Sequence, residues 1–274
     1  MNNKIDLSKV SAEYLTVYDV TNDEIICSRD GDVECYPASI TKILNALVAL
    51  KYCKLDDKFT VGEELTEMRR SPDPSVAGLI EGEVLTLEQL LYASLLPSGN
   101  DAAYTIGYNV INSIDEYKDL SLKEKINKFA QLMNDYAKEL GCKSTSFVTL
   151  DGNDHVDKKV VRHLTCTNDL ALIMKEVLKH EELVKVISTP SKTINVGDHI
   201  YSWNNTNRLI HKESDFYCPY AIGGKTGTTN LAGYCLLVAG KNDERTIIVA
   251  ITYAGSGQKR FTDAKYIFES LLDK

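Results

Sequence analysis

The chain has 274 residues, 43% of them hydrophobic and 26% charged, enough for one large domain or two small ones. That balance excludes long disorder, collagen-like repeats and a coiled-coil rod. A net charge of −8, from 31 Lys+Arg against 39 Asp+Glu, disfavours nucleic acid or an anionic membrane as the main partner.

The opening Met1-Asn-Asn-Lys-Ile-Asp6 has no apolar segment of signal-peptide type. Tyr14 to Val20 reads as a strand, with Glu24 to Ser28 as its partner across Thr21-Asn22-Asp23. Pro37 then precedes Ala38 to Leu50, a helix apolar on nearly every side and therefore buried. Its longest apolar stretch, Ile43 to Leu50, is broken by Asn45 and is too short to cross a bilayer. Thr86-Leu-Glu-Gln89 is a capping box for a helix that stops at Pro97, and Asp101 to Ile111 follows as another helix. Ser121-Leu-Lys-Glu124 is a second capping box. Its helix carries Leu122, Ile126, Phe129, Met133, Ala137 and Leu140 on one stripe, and Gly141 ends it. Thr167 caps a helix running to about Lys179. Near the end, Gly233 to Gly240 and Thr246 to Ala254 are β-branched runs joined by Lys241-Asn-Asp-Glu-Arg245, an antiparallel hairpin, and Thr262 to Leu272 closes as a helix. Strands at both ends and helices between them predict one sheet built from the two termini.

The seven cysteines are an odd number, so at least one thiol is free or pairs between chains. None forms a CxxC pair or sits with histidine at zinc-like spacing, and the expected role is small buried side chains. No metal or organic cofactor is expected.

Three short motifs carry chemistry. Ser39-Ile-Thr-Lys42 sets a hydroxyl and an amine three residues apart, on one face of a helix. Serine is a weak nucleophile without a base, and a lysine buried among apolar neighbours has a lowered pKa. Pro37 places Ser39 in the first helical turn, where backbone N–H groups favour developing negative charge. A second such pair, Ser256-Gly-Gln-Lys259, lies in a Gly-flanked loop and is discounted. Ser98-Gly-Asn100 falls between two helices, where Ser98 suits proton relay and Asn100 suits a substrate carbonyl. The simpler reading is Asn100 or Asp101 as a helix cap, and Ser202-Trp203-Asn204 shows how common the pattern is. Gly223-Gly-Lys225-Thr-Gly227-Thr-Thr offers a cation, a hydroxyl and backbone amides on a strand edge, the alternative being a hairpin-entry turn. It does not fit the G-x-x-x-x-G-K-[ST] phosphate loop.

The order S-x-x-K, S-G-N, K-T-G resembles the serine penicillin-recognising enzymes, and among them the low-molecular-mass D-alanyl-D-alanine carboxypeptidases. Pro37-Ala-Ser-Ile-Thr-Lys42, Leu95-Leu-Pro-Ser-Gly-Asn-Asp-Ala102, Ala137-Lys-Glu-Leu-Gly141, Asn205-Thr-Asn-Arg-Leu209 and Lys225-Thr-Gly-Thr-Thr-Asn-Leu-Ala-Gly-Tyr234 carry the likeness, which extends from about Tyr14 to Leu272. It implies an α/β (α+β) fold of β-lactamase/DD-peptidase type, an antiparallel sheet from both chain ends with an inserted, mostly helical subdomain. Residues 1–60 plus 210–274 would form the sheet part and 61–209 the helical part, with the active site between them.

The resemblance implies Ser39 as the acylated nucleophile, Lys42 as its base, Ser98 as proton relay and Asn100 as a ligand of the substrate amide. Lys225 would supply positive potential, Thr226 would bond the substrate carboxylate, and Gly227 would let the substrate approach the strand. The N–H groups of Ser39 and Thr228 would form the oxyanion hole, and Arg260 would meet the terminal carboxylate. The implied substrate is a peptidoglycan stem peptide ending in D-Ala-D-Ala, with β-lactams as covalent inhibitors. The rival functions are a serine β-lactamase, a β-lactam sensor domain, and a D-amino-acid amidase or esterase. The stripe from Met133 to Leu140 stands where one β-lactamase class has its E-x-x-L-N loop, and Ser98 stands where another has Tyr. The family usually carries a signal peptide, and many members a C-terminal β domain and anchor. This chain is read as a catalytic unit without them, acting in the cell envelope or outside the cell, with seven thiols that would also suit a cytoplasmic protein.

Overall fold

The two ends of the chain meet in one sheet. The computed structural model describes residues 5–68, 75–153 and 163–273. Residues 1–4 of the opening stretch lie outside them. The first hairpin is β1 (Tyr14–Asp19) and β2 (Glu24–Arg29). Asp19 ends β1 because its carboxylate turns back to accept the Thr21 and Asn22 N–H groups, so the strand stops one residue short of the expected Val20. A 3-10 turn, Ala38–Ile40, leads into α1 (Thr41–Tyr52), where a single helix from Ala38 was expected.

The middle of the chain holds β3 (Lys58–Thr60), α2 (Leu65–Met68), β4 (Val84–Thr86), α3 (Leu87–Leu95), α4 (Asn100–Asn112), α5 (Leu122–Glu139), α6 (Thr167–Val177) and α7 (Glu181–Ile187). Both capping boxes form: Gln89 donates its N–H to Thr86 Oγ1 at 3.2 Å, and Ser121 N–H reaches the Glu124 carboxylate at 2.9 Å. Gly141 follows α5 in the left-handed region, as its position after the stripe predicts. The cap of α6 is Cys166, not Thr167: its sulfur accepts the Asp169 N–H at 3.5 Å, and the helix ends at Val177. The cap of α4 is Gly99, so neither Asn100 nor Asp101 serves as one. Asp101 instead accepts the N–H groups of Ala77, Gly78, Leu79 and Ala102, which ties the neighbouring loop to the start of α4.

The last part contains the hairpin β5 (Ser191–Val196) and β6 (His199–Asn204), then β7 (Ala221–Thr229), β8 (Gly233–Lys241), β9 (Thr246–Ala254) and α8 (Lys259–Leu272). β5–β6 carries little sequence signal because its strands are half exposed and only weakly apolar. The main sheet has the order β2-β1-β9-β8-β7, all neighbours antiparallel.

Alternation along its strands sends Leu236, Val238, Ile247, Val249 and Ile251 into a core with Phe261 and Phe268 of α8. Leu237, Ala239, Ile248 and Ala250 enter the larger core on the other face, shared with α1 and α6. Both faces are covered, which is why these strands read as continuous apolar runs rather than as alternation. Each fully buried Leu or Ile contributes about 1.5–3 kcal/mol of transfer free energy. The order leaves β7 as an edge strand, and α1 packs against α3, α4 and α5, so the turn preceding α1 sits between the β7 edge and the helices.

Candidate active site

Ser39 lies in the 3-10 turn, and the residue before it is strained: Ala38 has φ +49°, a conformation that costs an L-residue about 1–2 kcal/mol. The surroundings hold it there. A Cβ added to Gly227 of β7 would lie 2.9 Å from Pro37 O and 3.1 Å from Ser39 N. On the other side, a Cβ added to Gly152 would lie 1.8 Å from Ala38 O. The glycine of Lys-Thr-Gly is therefore what lets the strand edge reach the serine turn.

α1 carries Lys42 directly above this turn. Its Nζ donates to Ser39 Oγ at 2.9 Å, to Asn100 Oδ1 at 2.8 Å and to the Asp151 carbonyl at 2.9 Å. The apolar helix removes the side chain from water entirely, and this burial lowers its pKa to about 8 against the opposing pull of Asp151 and Asp101. The three contacts use all three ammonium hydrogens. Two of the acceptors are carbonyl oxygens that cannot donate, so loss of one proton leaves the lone pair facing Ser39 Oγ. The arrangement is that of a general base aimed at one hydroxyl.

Asn100 opens α4 and is nearly buried, its own N–H donated to Ser75 O at 2.8 Å. Ser98, two residues earlier, is 8% exposed and held at φ +69° in the link between α3 and α4. Among the described residues its hydroxyl makes no hydrogen bond to Ser39, Lys42 or Asn100.

Lys225 on β7 is fully buried, with its Nζ donated to Thr226 O at 2.9 Å. Burial first, and then the nearby charges of Lys42 and Arg260, hold its pKa well below the usual lysine value. Thr226 Oγ1 meets Thr206 Oγ1 at 2.6 Å, and Thr228 is exposed on the edge strand. Arg260, near the start of α8, donates through one terminal nitrogen to Gly227 O and Thr228 Oγ1, each at 3.0 Å. Its guanidinium lies 4.9 Å from the Phe261 ring centre. Among the described residues none of Lys42, Lys225 and Arg260 has a carboxylate within ion-pair distance. In a chain with net charge −8, three basic side chains thus lie near one another with no carboxylate between them, a local setting suited to an anionic group.

The structure thus joins Ser39, Lys42 and Asn100 by direct bonds, sets Gly227 against the serine turn, and ties Arg260 to Gly227 and Thr228. The discounted Ser256-Gly-Gln-Lys259 is a local turn, its Ser256 Oγ accepting the Lys259 N–H at 3.1 Å.

Four participants were missed in the sequence. The Asp151 carbonyl and Gly152 carry no signal, because a backbone oxygen and a close approach do not show in residue type. Thr206 lies inside Asn205-Thr-Asn-Arg-Leu209, a segment that resembles the family, and was findable from it. His163 is the fourth and lies beneath the turn: it is buried, stacked on Phe147 with ring centres 4.6 Å apart, and accepts the Val148 N–H at Nδ1 at 3.1 Å. Burial, with a smaller effect from Lys42, lowers its pKa to about 3. Between pH 6.5 and 3 the unfolded chain takes up a proton at this site that the folded one refuses. Stability is expected to fall as pH drops below about 6.5, by up to about 1.4 kcal/mol per unit from this residue. Thermal unfolding from pH 7 to 4 checks this, and His163→Gln should flatten the dependence.

Among the described residues no group of three or more His, Cys, Asp or Glu is arranged to hold a metal. All seven cysteines are free thiols, six of them buried.

The model of the D-alanyl-D-alanine carboxypeptidase family matches residues 1–255. A D-alanyl-D-alanine carboxypeptidase of Streptomyces sp. (strain K15) is 32% identical over 247 residues, covering 88% of this chain and 80% of the relative. The D-alanyl-D-alanine carboxypeptidase DacF of Bacillus subtilis is 29% identical over 243 residues, 86% of this chain but 56% of that longer protein. In three dimensions the chain superposes on the Streptomyces K15 DD-transpeptidase with a TM-score of 0.83 at 27% identity, over 95% of this chain and 97% of that one. A penicillin-binding protein homologue from Mycobacterium tuberculosis gives 0.79 at 26% identity, over 95% and 91%.

Proposed function

The chain belongs to the D-alanyl-D-alanine carboxypeptidase family of serine peptidases, and from that membership and the geometry above we propose how its residues perform the reaction. It is a serine DD-peptidase that works through an acyl-enzyme. The observation that carries the assignment of roles is the Lys42 amine, held by two carbonyl acceptors so that its third direction is Ser39 Oγ.

A peptidoglycan stem peptide enters with its terminal carboxylate near Lys225, Thr226 and Arg260. Lys42 removes the Ser39 proton as Oγ attacks the penultimate D-Ala carbonyl. The tetrahedral oxyanion is met by the N–H groups of Ser39 and Thr228, each donor of this kind contributing about 3–4 kcal/mol in other enzymes. Ser98 passes a proton to the departing D-alanine amine, and Asn100 holds the substrate amide. Water then attacks the ester and frees Ser39. A β-lactam follows the first half of this path and stays as the ester.

We also infer that the sheet part (1–60 and 210–274) and the helical part (61–209) flank this site, and that the enzyme acts outside the cytoplasm, where its substrate is. The seven free thiols are compatible with that location. Six are buried, and burial raises the pKa of all seven, so the reactive thiolate is suppressed. Among the described residues no helix is long and apolar enough to cross a membrane.

The test is mass spectrometry of the protein after exposure to benzylpenicillin, followed over time beside release of D-alanine from an acyl-D-Ala-D-Ala peptide. The expected result is a slowly lost adduct on Ser39 together with D-alanine release. No adduct overturns the assignment of Ser39. Turnover of the adduct in seconds points to a β-lactamase, and a permanent adduct without peptide cleavage points to a sensor.

A further inference from the structure

We propose that Thr41 and His163 are positioning residues that orient and polarise the Ala38–Ser39 peptide unit, the one whose N–H is the nucleophile-side oxyanion donor. This rests on the acyl-enzyme reading of Ser39. The observation is a directed chain of hydrogen bonds that ends on that peptide's carbonyl. His163 Nδ1 accepts backbone N–H groups from Val148 at 3.1 Å and Thr149 at 3.3 Å, so the ring proton resides on Nε2. Nε2 lies 2.8 Å from Thr41 Oγ1 and donates to it. A hydroxyl has one proton, and Thr41 gives it to Ala38 O at 2.9 Å. Each bond fixes the direction of the next, and the hydroxyl cannot turn away. His163, Thr41 and Ala38 are all removed from water, where such chains strengthen one another.

Ala38 O and Ser39 N–H are the two ends of one conjugated amide. A proton donated to the oxygen draws electron density from the nitrogen and makes its N–H a better donor. The same bonds help to hold Ala38 at φ +49°, which sets the direction in which that N–H points. The chain therefore connects a ring beneath the turn to the strength of a donor on top of it. Neither residue reaches the substrate. Thr41 lies between the two residues of the Ser-x-x-Lys motif, at a position the motif leaves free.

The experiment compares Thr41→Val, which keeps the shape and removes the hydroxyl, Thr41→Ser, which keeps the hydroxyl, and His163→Gln. The readouts are the acylation rate constant with benzylpenicillin, the affinity for a peptidyl boronic acid whose tetrahedral adduct needs the oxyanion donors, and the KM for the peptide. Thr41→Val is expected to lose about tenfold in acylation and a similar factor in boronate affinity, with KM nearly unchanged. Thr41→Ser should recover to within about twofold, and His163→Gln should show part of the loss. A residue that only fills space would change thermal stability without separating acylation from KM. Unchanged acylation and boronate affinity in folded Thr41→Val, or in folded His163→Gln if the valine variant does not fold, overturns the positioning role alone. Absence of acylation in the unsubstituted chain overturns the reading of Ser39, and the positioning role with it.

Discussion

Lys42→Met should cut the rate of acylation by benzylpenicillin about 10²–10⁴-fold, the range a positioned general base supplies, while the protein stays folded. The fold should survive because the substitution replaces a buried ammonium, whose desolvation opposes folding, with an apolar chain of similar length. It leaves Asn100 Oδ1 and the Asp151 carbonyl without the donor they now share, at about 1–3 kcal/mol each, which the lost desolvation of the charge offsets. The pH dependence separates this role from a purely structural one. Lys42 is a base only when neutral, and burial places its pKa at about 8. Acylation by the unsubstituted enzyme should therefore rise roughly tenfold per pH unit below about 8 and level off above it. The residual rate of the methionine variant should lack that inflection. Stopped-flow acylation at a series of pH values decides the matter, and a methionine variant that keeps both rate and inflection would show that another group takes the proton.

The division between what the sequence announces and what it conceals follows from physics. Ser39, Lys42, Ser98, Asn100 and Lys225 are visible because side-chain chemistry at short spacing is a property of residue type. β8 and β9 are visible because burial on both faces demands unbroken β-branched runs. The strand that completes the site is harder to see. β7 contains Gly223, Gly224 and Gly227, which weaken a strand pattern, and all three are required by close approach of backbone rather than by strand propensity. The cap of α6 is concealed in a different way, since a thiol is a weak acceptor and Thr167 beside it is the better cap by type. The left-handed Ala38 is contrary to every local preference of alanine. It exists because Thr41, Gly152 and Gly227 close on it from three directions, and two of those come from parts of the chain more than a hundred residues away. Strain of this kind collects at functional sites because only tertiary packing can hold it.

Gly152→Ala puts that packing under the heaviest load. Its Cβ would lie 1.8 Å from Ala38 O and 2.4 Å from Ala38 C, both backbone atoms, and Gly152 itself has φ +88°. The substitution adds overpacking of about 1–3 kcal/mol to backbone strain of about 1–2 kcal/mol. The overlap can be relieved only by moving the Ala38–Ser39 turn or the 148–153 segment. The first displaces Ser39 and its N–H, and the second displaces the Asp151 carbonyl that holds Lys42. A shift approaching 1 Å in either costs on the order of 10²-fold in acylation. Gly197→Ala isolates the conformational part: Gly197 has φ +55° and nothing within 4 Å of an added Cβ, so it should lose about 1–2 kcal/mol and no activity. Gly227→Ala falls between them, with contacts of 2.9–3.1 Å that a few tenths of an ångström would relieve. The order of acylation rates should be Gly197→Ala, then Gly227→Ala, then Gly152→Ala, and that order should follow the overlap with the serine turn rather than the backbone angle. Equal losses at Gly197 and Gly152 would mean that strain alone matters. A folded Gly152→Ala enzyme that acylates at the unsubstituted rate would mean that the turn tolerates movement, and that Ser39 is not held in place by its surroundings.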